Sequence, residues 1–142
     1  MILISLAAGV AVVIACAAVV RRRLLVVVVD GASMAPALEP GERVLVRRRT
    51  AGVSVGDIVV FHLPGRAADG QARLIKRVTA VPGDAVPASV RRVVGASEQD
   101  RVPAHRLVVI GDGPGSVDSR TWGYLQSSHV IGVVLRSLAP KG

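Results

Sequence analysis

The chain of 142 residues contains one cysteine, Cys16. A disulfide framework and a thiolate zinc site are both excluded. Aromatics are almost as scarce: Phe61, Trp122 and Tyr124 make up 2%. A core must therefore be aliphatic, and with 51% hydrophobic residues the chain has the material for one. That abundance excludes disorder as the main state. The lack of aromatics also removes the stacking platform that single-stranded nucleic acid needs. Lysine is rare too, with Lys76 and Lys141 set against sixteen arginines. Only ten carboxylates oppose them, leaving a net charge of +8. A basic chain of this kind suits anionic partners such as lipid or nucleic acid. The length allows one domain and little more.

Ile2 to Val20 is an uncharged run of 19 residues, closed by Arg21, Arg22 and Arg23. As a helix it would span ~28 Å, about the thickness of a bilayer core. It shows no polar stripe of period 3.6, as a buried soluble helix would. The sequence thus predicts a transmembrane anchor with a basic flank over residues 1–23. Two rival readings are a cleaved secretory signal and a lipoprotein signal at Val13-Ile14-Ala15-Cys16. The first usually begins with Lys or Arg and has a shorter apolar core. The second fits poorly with an apolar run that continues past Cys16. The positive-inside rule would place the arginines, and the chain after them, in the cytoplasm.

Beyond the anchor, short β-branched runs alternate with Gly, Pro and Asp. Strands are predicted at Leu24–Val29, Arg43–Arg47, Asp57–Phe61, Arg73–Val81, Arg106–Ile110 and Val130–Leu138. Turn signals separate them, among them Glu39-Pro40-Gly41, Pro64-Gly65, Pro82-Gly83-Asp84 and Gly111-Asp112-Gly113-Pro114-Gly115. Residues 66–71 read as a polar loop and Arg91–Val102 as a polar insertion. No segment after residue 30 keeps helical periodicity over three turns. Residues 24–142 are therefore expected to form one mostly-β domain, a coiled sheet or barrel.

Parity singles out one residue. In the strand from Ala72 to Ala80, one face carries Ala72, Leu74, Lys76, Val78 and Ala80, and the other carries Arg73, Ile75, Arg77 and Thr79. A lysine thus sits in an apolar row while two arginines share the opposite face. Burial disfavours an ammonium ion and makes a lysine available as a base. Arginine could not serve, because it stays protonated. A lysine that snorkels to water along the sheet edge is the plainer alternative.

A second signal lies in Gly31-Ala32-Ser33-Met34-Ala35-Pro36. A nucleophilic serine needs an exposed hydroxyl, a base and donors for an oxyanion. A tight Gly/Pro turn can aim a hydroxyl and a main-chain N–H at one point, although most serines in such turns are only turn residues. The order of motifs decides between these. Ser33-Met34-x-Pro36 is followed by Gly56-Asp57-Ile58-Val59-Val60-Phe61. Then come Ile75-Lys76-Arg77-Val78, Pro82-Gly83-Asp84 and Gly111-Asp112, and last Ser116-x-Asp118-Ser119-Arg120-x-Trp122-Gly123. Together, over about residues 24–136, they resemble the bacterial type I signal peptidase family, in the style of its short actinobacterial members.

The resemblance implies a membrane-bound Ser/Lys endopeptidase with no metal and no organic cofactor. Ser33 matches the nucleophile and its main-chain N–H the oxyanion donor. Lys76 matches the general base and Ser116 the hydroxyl that orients it. Asp118 and Arg120 match a supporting ion pair. Gly31, Met34 and Pro36 are the candidate lining of a substrate pocket. The implied partners are the lipid bilayer and exported preproteins with small residues at the first and third positions before the cut. The implied location is the cell membrane, single-pass, with the catalytic domain outside the cytoplasm, against the pull of Arg21–Arg23.

Three positions depart from the family pattern. Gly31 stands where some members place a second oxyanion serine, Ala37 where Thr is common, and Gly113 where Asn is usual. Only 26 residues separate Asp84 from Gly111, so a large extra β-domain is absent. The shortness suits either a general enzyme or one dedicated to a single precursor, such as that of a nickel superoxide dismutase. A Ser-His-Asp hydrolase using His62, His105 or His129 lacks a Gly-x-Ser-x-Gly elbow. A self-cleaving repressor relative would need a DNA-binding module. A non-enzymatic membrane-anchored β-module, basic at Arg47-Arg48-Arg49 and Arg91-Arg92, is the rival from another class.

Overall fold

The computed structural model describes residues 2–48, 52–62 and 73–138, with side chains from Leu6 onward. The predicted loop at 66–71, the Pro64-Gly65 turn, Ala72, Arg49 and Lys141 lie outside the described residues. Helix α1 covers Ile2–Arg23 and runs without a linker into strand β1, Leu24–Val28. Among the described residues no helix is long and apolar enough to cross a membrane. From Leu6 to Val20 the uncharged stretch is 15 residues, or ~22 Å of helix, before three arginines end it. The expected helix is present, then, without an established membrane span.

The remaining strands are β2 (Arg43–Arg48), β3 (Ile58–His62), β4 (Arg73–Ala80), β5 (Arg106–Ile110), β6 (Leu125–Gln126) and β7 (Val130–Leu138). All six runs expected from the sequence form strands, with ends shifted by at most one residue. The two-residue β6 is an addition, too short to leave a pattern in the sequence. Pairing is antiparallel throughout, in the order β1-β2-β7-β3-β4-β5-β6. The sheet is open, which corrects the barrel-like expectation. Its edges are β1 and β6. The reason lies in strand lengths: β5 joins β4 only from Arg77 onward. Among the described residues the start of β4 keeps one unpaired edge, and β1 faces it across a groove of about 310 Å³ instead of bonding to it.

Alternation along the strands fills three aliphatic clusters. Val27, Val44, Val46, Val60 and Ile75 pack together with Met34 and Leu38 from the loop after β1. Val59, Phe61, Val78, Leu107, Val109, Leu125 and Val133 form the second, joined by Trp122. Phe61 and Trp122 meet with ring centroids 6.1 Å apart at 60°, a tilted contact of the kind aromatic pairs favour. The third gathers Ala80, Val86, Val90, Val102 and Val108. It corrects the reading of Arg91–Val102 as a polar insertion. A seven-residue helix α2, Ala88–Val94, begins after Pro87 and ends at Gly95 with φ +67°. Two turns are too few to show a period, and its single buried residue is Val90.

Gly132 sits in the middle of β7, between β2 and β3. A Cβ there would overlap the Arg47 carbonyl oxygen and stand 2.7 Å from Val46 Cγ1. Gly132→Ala is therefore expected to destabilise the fold by about 1–3 kcal/mol, the range for overpacking a dense interior. Urea unfolding followed by circular dichroism measures it. An unchanged midpoint would show that β7 can shift freely.

Candidate active site

The turn carrying Ser33 is fixed from both ends. Val29 N–H donates to the Glu42 carbonyl and Gly41 N–H to the Val29 carbonyl, both at 2.8 Å, so the chain leaves β1 at a set point. Ala35 N–H donates to Ala32 O (3.1 Å) and Leu38 N–H to Met34 O (2.9 Å), coiling Ser33 to Leu38 into tight turns. Met34, 1% exposed, and Leu38 are driven into the first cluster and hold the turn down. The Ala35–Pro36 peptide is cis. Ser33 is left half-buried, with Gly31, Ala32 and Pro36 exposed around it. Among the described residues, Ser33 N–H donates to no main-chain oxygen.

A second turn, after β5, locks against the first. Gly113 N–H donates to Ser33 O at 2.9 Å. The two backbones are so close that a Cβ on Gly113 would overlap the Ala32 carbonyl oxygen. A Cβ on Gly111 would lie 2.5 Å from Ser33 O and overlap the Ser116 hydroxyl. Only glycine fits at either position without a shift of the neighbouring backbone. Gly31 has φ +75°, and a Cβ there would meet nothing within 4 Å, so conformation and not crowding selects glycine.

Lys76 lies on β4, paired with Val59 of β3 and 3% exposed. On the other side of β4, Val78 pairs with Val109 and Arg77 with Ile110. The ladder ends at that pair, with Lys76 directly before Arg77 and Gly111 directly after Ile110. The main chain of Ser33 and the hydroxyl of Ser116 converge on the glycine that follows β5, next to the Arg77–Ile110 pair. Ser116 Oγ is buried and, among the described residues, has no hydrogen-bond partner in good geometry.

Asp118 holds the second turn from below. It is fully buried, caps helix α3 (Ser119–Trp122), and accepts from Gly111 N–H at 2.9 Å. Arg120 grips it with Nε on Oδ1 at 2.9 Å and NH2 on Oδ2 at 2.7 Å. Burial pushes this carboxyl up. Arg120, the Gly111 and Arg120 N–H groups, and the nearby Ser116 hydroxyl together outweigh it and bring the pKa down to about 2. The Ser116 contribution is one of proximity, since its oxygen sits outside hydrogen-bonding geometry.

Three residues quoted within the motifs were given no role there. Arg77 makes a bidentate pair with Asp112, at 2.9 and 2.6 Å, and donates to the Gly56 carbonyl at 3.0 Å. It fastens the strand of Lys76 to the turn of Gly111 and Gly113. Ser119 Oγ accepts from Val109 N–H at 3.0 Å and ties α3 to β5. Their signal was their place in those motifs: Arg77 follows Lys76, Asp112 splits the two glycines, and Ser119 follows Asp118.

The groove between β1 and the start of β4 opens on Ser33. Its lining includes Val26–Val29, Asp30, Ser33 and Met34 on one side and Arg73–Ile75 on the other. Of the three expected pocket residues, Met34 lines it, whereas Gly31 and Pro36 do not. Among the described residues, no three of His, Cys, Asp and Glu group closely enough to hold a metal ion.

The site thus consists of an open antiparallel sheet, a serine turn and a strand carrying a buried lysine. Comparison with known proteins makes this specific. The sequence profile of the family described as signal peptidase, peptidase S26, matches residues 2–96 and 88–138. The probable signal peptidase I-1 of Synechocystis sp. is 32% identical over 132 residues, covering 76% of this chain and 67% of its own. The signal peptidase I of Leptolyngbya laminosa is 30% identical over 129 residues, covering 73% of this chain and 63% of its own. The signal peptidase IB of Staphylococcus aureus is 28% identical over 144 residues, covering 75% and 73%. The chain belongs to the signal peptidase family, peptidase S26.

The lowered carboxyl of Asp118 makes acid stability a test of this site. A group depressed in the folded state stabilises fully above its unfolded pKa and loses that effect as pH falls through the folded one. From 3.8 to about 2 the linked stabilisation is about 2 kcal/mol. Asp118→Asn should lose this amount at pH 7 and flatten the fall in stability between about pH 5 and pH 2. Urea unfolding across pH measures both. An acid limb identical to wild type would refute the role given to Asp118.

Proposed function

We propose that the chain is a membrane-anchored serine endopeptidase that removes signal peptides from exported preproteins through Ser33 and Lys76. The observation that carries this reading is the interlock of the Ser33 turn with the Gly111–Gly113 turn, which follows the strand paired with that of buried Lys76. Family membership supports a signal peptide as substrate. The 19-residue uncharged run, folded as helix, supports an anchor. A preprotein emerging from export would meet the enzyme outside the cytoplasm, and the catalytic domain is assigned to that side.

In the proposed reaction the neutral Lys76 amine takes the Ser33 proton as Oγ attacks the scissile carbonyl. The negative charge forms on the carbonyl oxygen, and Ser33 N–H donates to it. Position 31 offers no hydroxyl, and a serine there would have to hold φ at +75°. Collapse breaks the C–N bond. The new amino terminus of the mature protein leaves with the proton from Lys76, and the signal peptide stays as an ester on Ser33. Lys76 then deprotonates a water, whose attack releases the peptide and restores the serine. Neither step needs a metal or an organic cofactor.

The groove suits an extended chain. Edge strand β1 and the unpaired start of β4 each present main-chain groups, and a peptide between them would add as a strand. Its valine-rich wall beside Ser33 favours small apolar side chains before the cut. One enzyme for many preproteins and one dedicated to a single precursor share all these features.

Purified full chain should cleave a preprotein with an Ala-x-Ala site. Ser33→Ala should have no activity, and Lys76→Ala should lower kcat/KM by about 10²–10⁴, the usual worth of a general base. Lys76→Arg should be equally impaired, because guanidinium keeps its proton. Cleavage by Lys76→Arg at the wild-type rate would remove Lys76 from the mechanism.

A further inference from the structure

The charges of this chain are sorted by place. Strands β1, β2, β3, β4 and β7 contain no carboxylate at all. The carboxylates among the described residues fall in loops and at the α3 cap instead. The arginines do the opposite. Arg21, Arg22 and Arg23 end α1 and are exposed. Leu24, the next residue, pairs with Arg47 of β2, and Arg48 follows; both arginines are exposed. Arg73 opens β4, paired with His62 at the close of β3. Along the ladders Arg48 pairs with Gly132, and Gly132 with Val60, so these strand ends share one end of the sheet. It is the end at which α1 enters.

Among the described residues no carboxylate lies between these guanidinium groups, which repel one another and call for an external anion. The bond between α1 and β1 fixes which one. With no linker residue between helix and strand, an α1 seated in a bilayer holds Arg47 and Arg48 at its surface. Val26 and Val28 of β1, 41% and 59% exposed, share the outward face of this corner with Arg43 and Arg47. Exposed valine interleaved with arginine suits the headgroup boundary better than open water.

We propose that Arg21–Arg23, Arg47 and Arg48 form a collar that binds the phosphates of anionic lipids and seats the sheet on the membrane surface. This rests on the anchor reading above, and adds to it a lipid preference and a fixed height for the groove over the bilayer. It also gives the three arginines after α1 an anionic partner on the outer leaflet, opposite to their usual side.

The test uses the full chain reconstituted in vesicles of equal phosphatidylcholine and phosphatidylglycerol. Lipid retained by the protein on release into native mass spectrometry is then counted. Wild type should retain phosphatidylglycerol in preference, and the preference should fall at high salt. Arg47→Gln with Arg48→Gln should lower it by about five- to twenty-fold, since each basic residue near an anionic surface contributes up to roughly fivefold. Arg101→Gln, exposed near α2, should leave it unchanged. Equal retention of both lipids by wild type, or no change in the double variant, overturns the collar while the anchor stands. Failure of wild type to remain with vesicles after alkaline carbonate overturns the anchor, and the collar with it.

Discussion

The site depends on one main-chain hydrogen bond, from Gly113 N–H to the carbonyl of Ser33. It joins two turns that belong to distant parts of the chain, one leaving edge strand β1 and one leaving β5. Each turn is held by its own sequence: Met34 and Leu38 sink the first into the aliphatic core, and Asp118 carries the second on its carboxylate. The bond forms only because positions 111 and 113 lack side chains. A serine in a Gly/Pro turn becomes a candidate nucleophile here because that contact sets it beside the strand of Lys76.

The same economy explains why the sheet stays open. A barrel would need β1 to pair with β4, closing the groove that leads to Ser33. The short β5 leaves the start of β4 unpaired, and the two free edges line the groove. A bound peptide would supply the missing strand. In the proposed reading, incomplete closure, usually a liability for a sheet edge, serves as the binding surface.

Much of this was legible in the sequence because it depends on local patterns. Alternation of Val, Ile and Leu marks six strands, and parity places Lys76 among Leu74, Val78 and Ala80. Burial of Lys76 agrees with that parity; the contact of Asp118 with Arg120, implied only by the resemblance, is present as an ion pair. What stayed hidden depends on contacts across the chain. Helix α2 is too short to carry a period, and β6 is two residues long. The openness of the sheet follows from where β5 ends, which no run of residues announces. The pairing of Arg77 with Asp112 spans 35 positions, and the need for Gly113 arises only where Ala32 crosses it.

Covalent labelling reads the pairing of Ser33 with Lys76 most plainly: the purified chain is treated with a serine-acylating inhibitor, and the adduct is mapped by mass spectrometry. One adduct is expected, on the Ser33 hydroxyl, lost in a Lys76→Ala variant whose circular dichroism matches wild type. An adduct on another residue, or full labelling of Ser33 without Lys76, would contradict the dyad.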